Sequence, residues 1–243
     1  MRILTVRDIP IRLHGSFLLL GGALLAWELL RSGPGAALGS AVLGLLLFGS
    51  VLLHELGHAL AGRGFGIATR DITLYPFGGV ARMQMGALRP LPELVVALAG
   101  PAVNLVLVVL GLLLDQAGLP LARELALINL GLGLFNLLPA YPMDGGRVLR
   151  AALSLRTDPL EATGQALRLS RWFAWAFIGA APLLGAWSLA LVGAFLLFSI
   201  GAEQRRLLHE RRLRMAGGLP LRARWAEPAP EQVRRLGFGH PVR

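Results

Sequence analysis

The chain has 243 residues, 55% of them hydrophobic and 16% charged, with a mean hydropathy of +0.62; a soluble domain carries roughly 45–50% apolar and about 25% charged residues, so most of this polypeptide belongs in a lipid bilayer. Cysteine is absent, which excludes disulfide frameworks, thiolate nucleophiles and Cys-bound zinc and leaves His, Asp and Glu as metal ligands. The net charge of +10 comes from arginine alone, and arginine beside apolar runs fits membrane topology and anionic headgroups, so no nucleic-acid partner is expected.

A bilayer-crossing helix needs about 20 mostly apolar residues. Six segments approach that length, at about 15–30, 36–62, 93–114, 120–138, 172–186 and 187–204. The expected fold class is therefore an all-α polytopic membrane protein of about six transmembrane helices. Arg2, Arg7 and Arg12 before the first run resemble the start of a secretory signal, but Trp27-Glu28 stands where a cleavage site needs small residues, so an uncleaved helix is expected. The last two segments part only at Gly185, and a kinked or re-entrant pair stays open there.

With an inside amino terminus, only Arg31 and Arg123 of the 24 arginines fall outside. That bias satisfies the positive-inside rule and predicts cytoplasmic termini in a protein of the cell membrane. Between the second and third spans, residues 67–85 alternate short apolar and polar positions around Pro76-Phe77-Gly78-Gly79, which predicts a small β-hairpin. After the fourth span, residues 139–147 pack two prolines and two glycines, a combination that ends a helix. The expected division is a transmembrane domain over 1–208 and a basic cytoplasmic tail over 209–243, amphipathic or flexible, with no internal repeat.

The chemistry gathers in the second span. His54 and His58 are four apart, so a helix sets them on one side, one turn above the other, as two imidazoles on one zinc ion require. Glu55 adjoins the pair, where a carboxylate can take a proton from metal-activated water; the pattern is H-E-x-x-H. An ionisable residue in a spanning helix costs about 2.5–3.5 kcal/mol on insertion scales, and three within five residues point to a metal site rather than to stray polar positions. A catalytic zinc takes a third protein ligand. His58 lies about 6 Å from the cytoplasmic end of its span, and the fourth span returns to that side and breaks at Pro139. Asp144 is then the best third ligand, its bland alternative being a turn before Gly145-Gly146. His14 reads as interfacial, Glu93 as a helix cap and Asn104 as a brace for the break at Gly100-Pro101; His209 and His240 lie in the tail, while Glu28, Asp115 and Glu124 group on the far side.

Four motifs, HELGH at 54–58, FGGVARM at 77–83, AGPAVN at 99–104 and NLLPAYPMDGGR at 136–147, resemble the site-2 proteases, polytopic intramembrane zinc metalloproteases. The likeness runs in order from about residue 10 to 156. It implies a core of spans two, three and four, zinc on His54, His58 and Asp144, and Glu55 as catalytic base. It departs from the usual pattern only in Met143, where leucine is common, and it suits a compact form without PDZ or CBS domains. Asn136 matches a family asparagine near the zinc; its amide can donate to an oxyanion or bond the carbonyls freed above Pro139, and both readings stay open. The strand around Phe77, Gly78, Gly79 and Val80 offers an edge that can capture an unwound substrate by strand addition. The resemblance implies a single-span membrane protein as substrate: an anti-sigma factor, a membrane-tethered transcription factor or a signal-peptide remnant. A membrane zinc-binding or transport protein would explain the ligands but leave Glu55 without a task. A zincin with its site in a cytosolic domain would want a downstream Glu on a soluble helix, and none is evident.

Overall fold

The computed structural model describes residues 1–76, 78–83 and 89–216. Four strands, β1 (Arg2–Val6), β2 (Ile9–Leu13), β3 (Thr69–Tyr75) and β4 (Gly78–Met83), and seven helices make up these residues. The helices are α1 (Gly15–Ser32), α2 (Pro34–Gly64), α3 (Pro90–Gln116), α4 (Ala122–Asn136), α5 (Asp144–Ser154), α6 (Pro159–Leu184) and α7 (Trp187–Met215). Three of them, α2, α3 and α7, are long and apolar enough to cross a membrane. Large side chains such as Leu19, Leu30, Leu45, Leu105, Leu191 and Phe198 stand exposed on the helices, as lipid-facing residues do.

The described residues fall into two compact units, one holding 1–83 and 99–133 and the other 89–98 and 134–216. In the first, the strands form one sheet in the order β1-β2-β3-β4. The expected hairpin after the second span is present as β3 and β4, paired antiparallel with Ile72 opposite Ala81 and Tyr75 opposite Gly78. The sheet is larger than expected, because the amino-terminal residues add a second hairpin and β2 runs parallel to β3. Arg7 and Asp8 turn that hairpin with φ of +44° and +66°, the left-handed pair that a two-residue turn needs. Ile9 and Ile72 pack on Leu56 and Ala59 of α2, which seats the sheet against the helix carrying the H-E-x-x-H residues. Asp71, buried in β3, pairs with Arg82 at 3.2 Å and Arg12 at 3.7 Å.

In the second unit, Asp158 caps α6 by accepting from the Leu160 N–H at 2.8 Å, and Pro159 follows at the first helical position. Gly185 ends α6 in the left-handed conformation, so α6 and α7 are two separate helices rather than one kinked element. Ala166, Leu167 and Ala174 of α6 pack with Leu196, Ile200 and Leu207 of α7 in the core of this unit. The Arg214 guanidinium reaches Asp158 at 3.1 Å. Residues from His209 to Met215 therefore continue α7, and the tail beyond residue 216 lies outside the described residues.

Candidate metal centre

Helix α2 sets His54 and His58 on one buried side, as their spacing predicts. Their Nε2 atoms lie 3.1 Å apart and the ring planes are nearly perpendicular, at 87°. Two ligands of a tetrahedral zinc with bonds of 2.0–2.1 Å are separated by about 3.3 Å, so the pair is spaced for one shared ion. The residues around it fit that occupant. A Cβ on Gly100 of α3 would stand 2.6 Å from His58 Cε1 and 2.7 Å from His54 Cε1, so only glycine leaves the imidazoles their place. Pro101 next to it removes a backbone N–H inside α3.

Asn104, expected as a brace for that break, instead serves the histidine: His54 Nδ1 donates to its Oδ1 at 2.5 Å. Asn104 Nδ2 donates to Asn129 Oδ1 at 2.8 Å, and Asn129 Nδ2 donates to Ser50 Oγ at 2.9 Å. Asn129 and Ser50 carried no expectation. Each is a polar residue inside an apolar helix, and that cost is the signal that marks them.

Glu55 faces the sheet. The Ala81 N–H of the edge strand β4 donates to Glu55 Oε2 at 3.2 Å, and a Cβ on Gly79 would meet Glu55 Cγ at 2.6 Å. The strand backbone thus lies directly against the carboxylate, and glycine at 79 permits the approach. Of the expected strand residues, Gly78, Gly79 and Val80 fall in β4, while Phe77 lies outside the described residues.

In the second unit, α4 ends at Asn136 and Asp144 opens α5 with Met143 as its N-cap, so Gly145 and Gly146 belong to a first helical turn rather than to a free turn. Asp144 is buried, with Arg147 Nη1 at 3.9 Å. Glu93, expected as a helix cap, is buried and accepts from Arg150 Nε at 2.9 Å, because burial of a carboxylate requires a paired charge. Burial pushes the Tyr141 phenol up, against the pull of Arg150, so it stays protonated. His14 caps α1 by accepting from the Ser16 N–H and stacks on Tyr75 at 4.8 Å, which gives it a structural task.

The model of peptidase family M50 matches residues 42–118 and 119–179, more than half of the chain. A zinc metalloprotease of Methanocaldococcus jannaschii is 37% identical over 210 residues, covering 84% of this chain and 60% of its own length. Stage IV sporulation protein FB of Bacillus subtilis is 32% identical over 186 residues, covering 70% of this chain and 62% of its own. The chain thus spans about three-fifths of the length of these relatives. The solved structure of a site-2 protease from Methanocaldococcus jannaschii superposes with a TM-score of 0.64 at 36% identity, covering 84% of this chain and 94% of that one. With the histidine pair, the glycine beneath it and the buried aspartate all inside the matched residues, the chain belongs to peptidase family M50.

Proposed function

We propose that the chain is an intramembrane zinc endopeptidase of the site-2 type, cutting membrane-spanning substrates near the cytoplasmic face. The observation that carries this is the buried pair of Nε2 atoms 3.1 Å apart with Glu55 beside it, inside a helix apolar enough to span a bilayer. The ligands are His54, His58 and Asp144, the set that the motifs at 54–58 and 136–147 imply. When bound, zinc supplies a Lewis acid that polarises a peptide carbonyl and makes water nucleophilic at neutral pH. Glu55 takes the proton of the attacking water and passes it to the leaving amine. The Ala81 N–H on Oε2 holds the carboxylate in one orientation for both transfers. Asn136, at the end of α4, donates to the oxyanion or to the carbonyls freed above Pro139.

A substrate helix hides its carbonyls in its own hydrogen bonds and must unwind before it is cut. The edge strand β4 captures the unwound segment by strand addition through Gly78, Gly79 and Val80, with Phe77 before the strand as a further expected contact; the close packing of Gly79 on Glu55 supports this. Six spans, formed by α1, α2, α3, α4, α6 and α7, place both termini in the cytoplasm of a cell-membrane protein, a reading that rests on the arginine bias. Residues 1–208 form the protease domain and 209–243 the basic tail. The substrate is a single-span membrane protein, of the class of an anti-sigma factor, a tethered transcription factor or a signal-peptide remnant.

A metal-transport role would use the same ligands without Glu55. Cleavage of a model membrane substrate in detergent, with zinc content measured in parallel, separates the two. Glu55→Gln is expected to retain zinc and lose cleavage; a variant that cleaves like the wild type would sink the protease reading.

A further inference from the structure

We infer that Ser50, Asn104 and Asn129 are positioning residues for the metal: a one-way chain of hydrogen bonds that fixes the tautomer of His54 and puts its lone pair on Nε2, the nitrogen that would bind zinc. The inference rests on the reading of His54 as a zinc ligand.

The direction of the chain follows from its ends. Ser50 Oγ donates to the Leu46 carbonyl at 2.8 Å, and a carbonyl can only accept. The Ser50 oxygen is then the acceptor for Asn129 Nδ2, whose amide also donates to the Leu125 carbonyl at 2.9 Å. Both amide hydrogens of Asn129 are spent on acceptors, so its Oδ1 is what faces Asn104. Asn104 in turn spends its Nδ2 on that oxygen and presents Oδ1 to the ring. Oδ1 cannot donate, so the hydrogen sits on His54 Nδ1 and the lone pair on Nε2.

Turning either amide over breaks the chain. A reversed Asn129 sets its oxygen against the Leu125 carbonyl, and a reversed Asn104 sets its oxygen against Asn129 Oδ1, two acceptors with no hydrogen between them. The arrangement is also dry: Ser50, Asn104 and Asn129 are at most 2% exposed, and they come from three different helices, α2, α3 and α4. Without water to substitute, each lost partner leaves a buried polar group unpaired, so the chain holds as a unit. Helix packing alone does not require it to end on the one imidazole nitrogen that faces away from the partner histidine. A partner on the far nitrogen of a metal-binding histidine sets ring orientation and basicity.

Three measurements on detergent-purified protein test this: zinc affinity by chelator competition, the visible spectrum of the cobalt-substituted form, and nitrogen NMR of the His54 ring in metal-free protein. Asn104→Leu is expected to weaken zinc binding about 10- to 100-fold and to let the His54 hydrogen redistribute between the two nitrogens. Asn104→Asp retains an acceptor at the ring but loses the donor to Asn129 Oδ1, so it is expected to recover part of the affinity that Asn104→Leu loses and to keep the His54 hydrogen on Nδ1. Asn129→Ala removes the middle of the chain and is expected to cost about tenfold; it carries the test if Asn104→Leu does not fold. Wild-type affinity in both Asn104→Leu and Asn129→Ala overturns the inference, as does equal loss in Asn104→Leu and Asn104→Asp, which would mark Asn104 as a packing residue. If His54→Ala binds zinc like the wild type, the reading of His54 as a ligand fails first, and this inference with it.

Discussion

Gly100→Ala puts a methyl group where the two imidazoles meet. The new Cβ would lie 2.6 Å from His58 Cε1 and 2.7 Å from His54 Cε1, against an ordinary contact of 3.4 Å or more. His58 Nε2 would stand closer still, so the rings would have to retreat by more than about 0.7–0.8 Å, while metal–ligand distances tolerate only about 0.2 Å. Neither ring can retreat easily, since His54 is held by Asn104 and both grow from one rigid helix. Overpacking of this kind costs about 1–3 kcal/mol, which corresponds to about 5- to 150-fold weaker zinc binding. The helix itself gains up to about 1 kcal/mol from replacing an interior glycine, so helix content should hold and the metal-free protein should lose at most about 2 kcal/mol of stability. Zinc affinity by chelator competition, set beside thermal unfolding followed by circular dichroism, reads both effects. Gly44→Ala on α2, where an added Cβ meets nothing within 4 Å, is the control. Zinc binding within twofold of the wild type in Gly100→Ala would refute the argument that the rings are pinned.

Two further predictions concern the edge strand and the second unit. The Ala81 N–H points to Glu55 and not to β3, so Ala81→Pro deletes one hydrogen bond to a charged acceptor and leaves the β3 ladder intact. Such a bond contributes about 1.5–3 kcal/mol, so cleavage should fall about 10- to 150-fold with zinc still bound; unchanged turnover would remove β4 from the mechanism. Glu93→Gln leaves the Arg150 guanidinium without its buried partner. Breaking a fully buried pair costs about 3–5 kcal/mol, but Arg150 is 30% exposed and water can share its charge, so about 2 kcal/mol is expected. Denaturation in mixed micelles measures it, and a loss under 0.5 kcal/mol would show that solvent already satisfies the arginine.

What the sequence could reveal divides by range. His54, Glu55 and His58 were legible because an i, i+4 spacing on a helix is local geometry and needs no knowledge of neighbours. The β3–β4 hairpin was legible for the same reason, through alternation around a Gly-Gly break. The first hairpin was signalled too: Ile9, Ile11 and Leu13 alternate with Pro10 and Arg12 after an Asp that can turn the chain. Its arginines, read as flanks of the first span, concealed a pattern of period two. The fourth span was expected over 120–138 from apolarity alone, but Leu121 takes a φ of +64° and the prolyl segment stops the helix, leaving 15 helical residues.

The asparagine chain lay beyond sequence reading for a different reason. Its bonds join residues 25, 50 and 79 apart, and nothing local links Ser50 with Asn129 or His54 with Asn104. A bilayer nevertheless makes such residues conspicuous one at a time. Inside hydrocarbon no water can satisfy an amide, so an asparagine in the middle of an apolar helix implies a partner on another helix. Asn104 and Asn129 each imply the other in this way, since each lies in an apolar stretch with no polar neighbour one turn away on its own helix. Asn104 has a second hydrogen-bonding end to satisfy, and the His54 ring meets it. The polar residues of a spanning segment can therefore be read as half-bonds, and the chain of them here leads from a backbone carbonyl of α2 to the histidine four residues after Ser50.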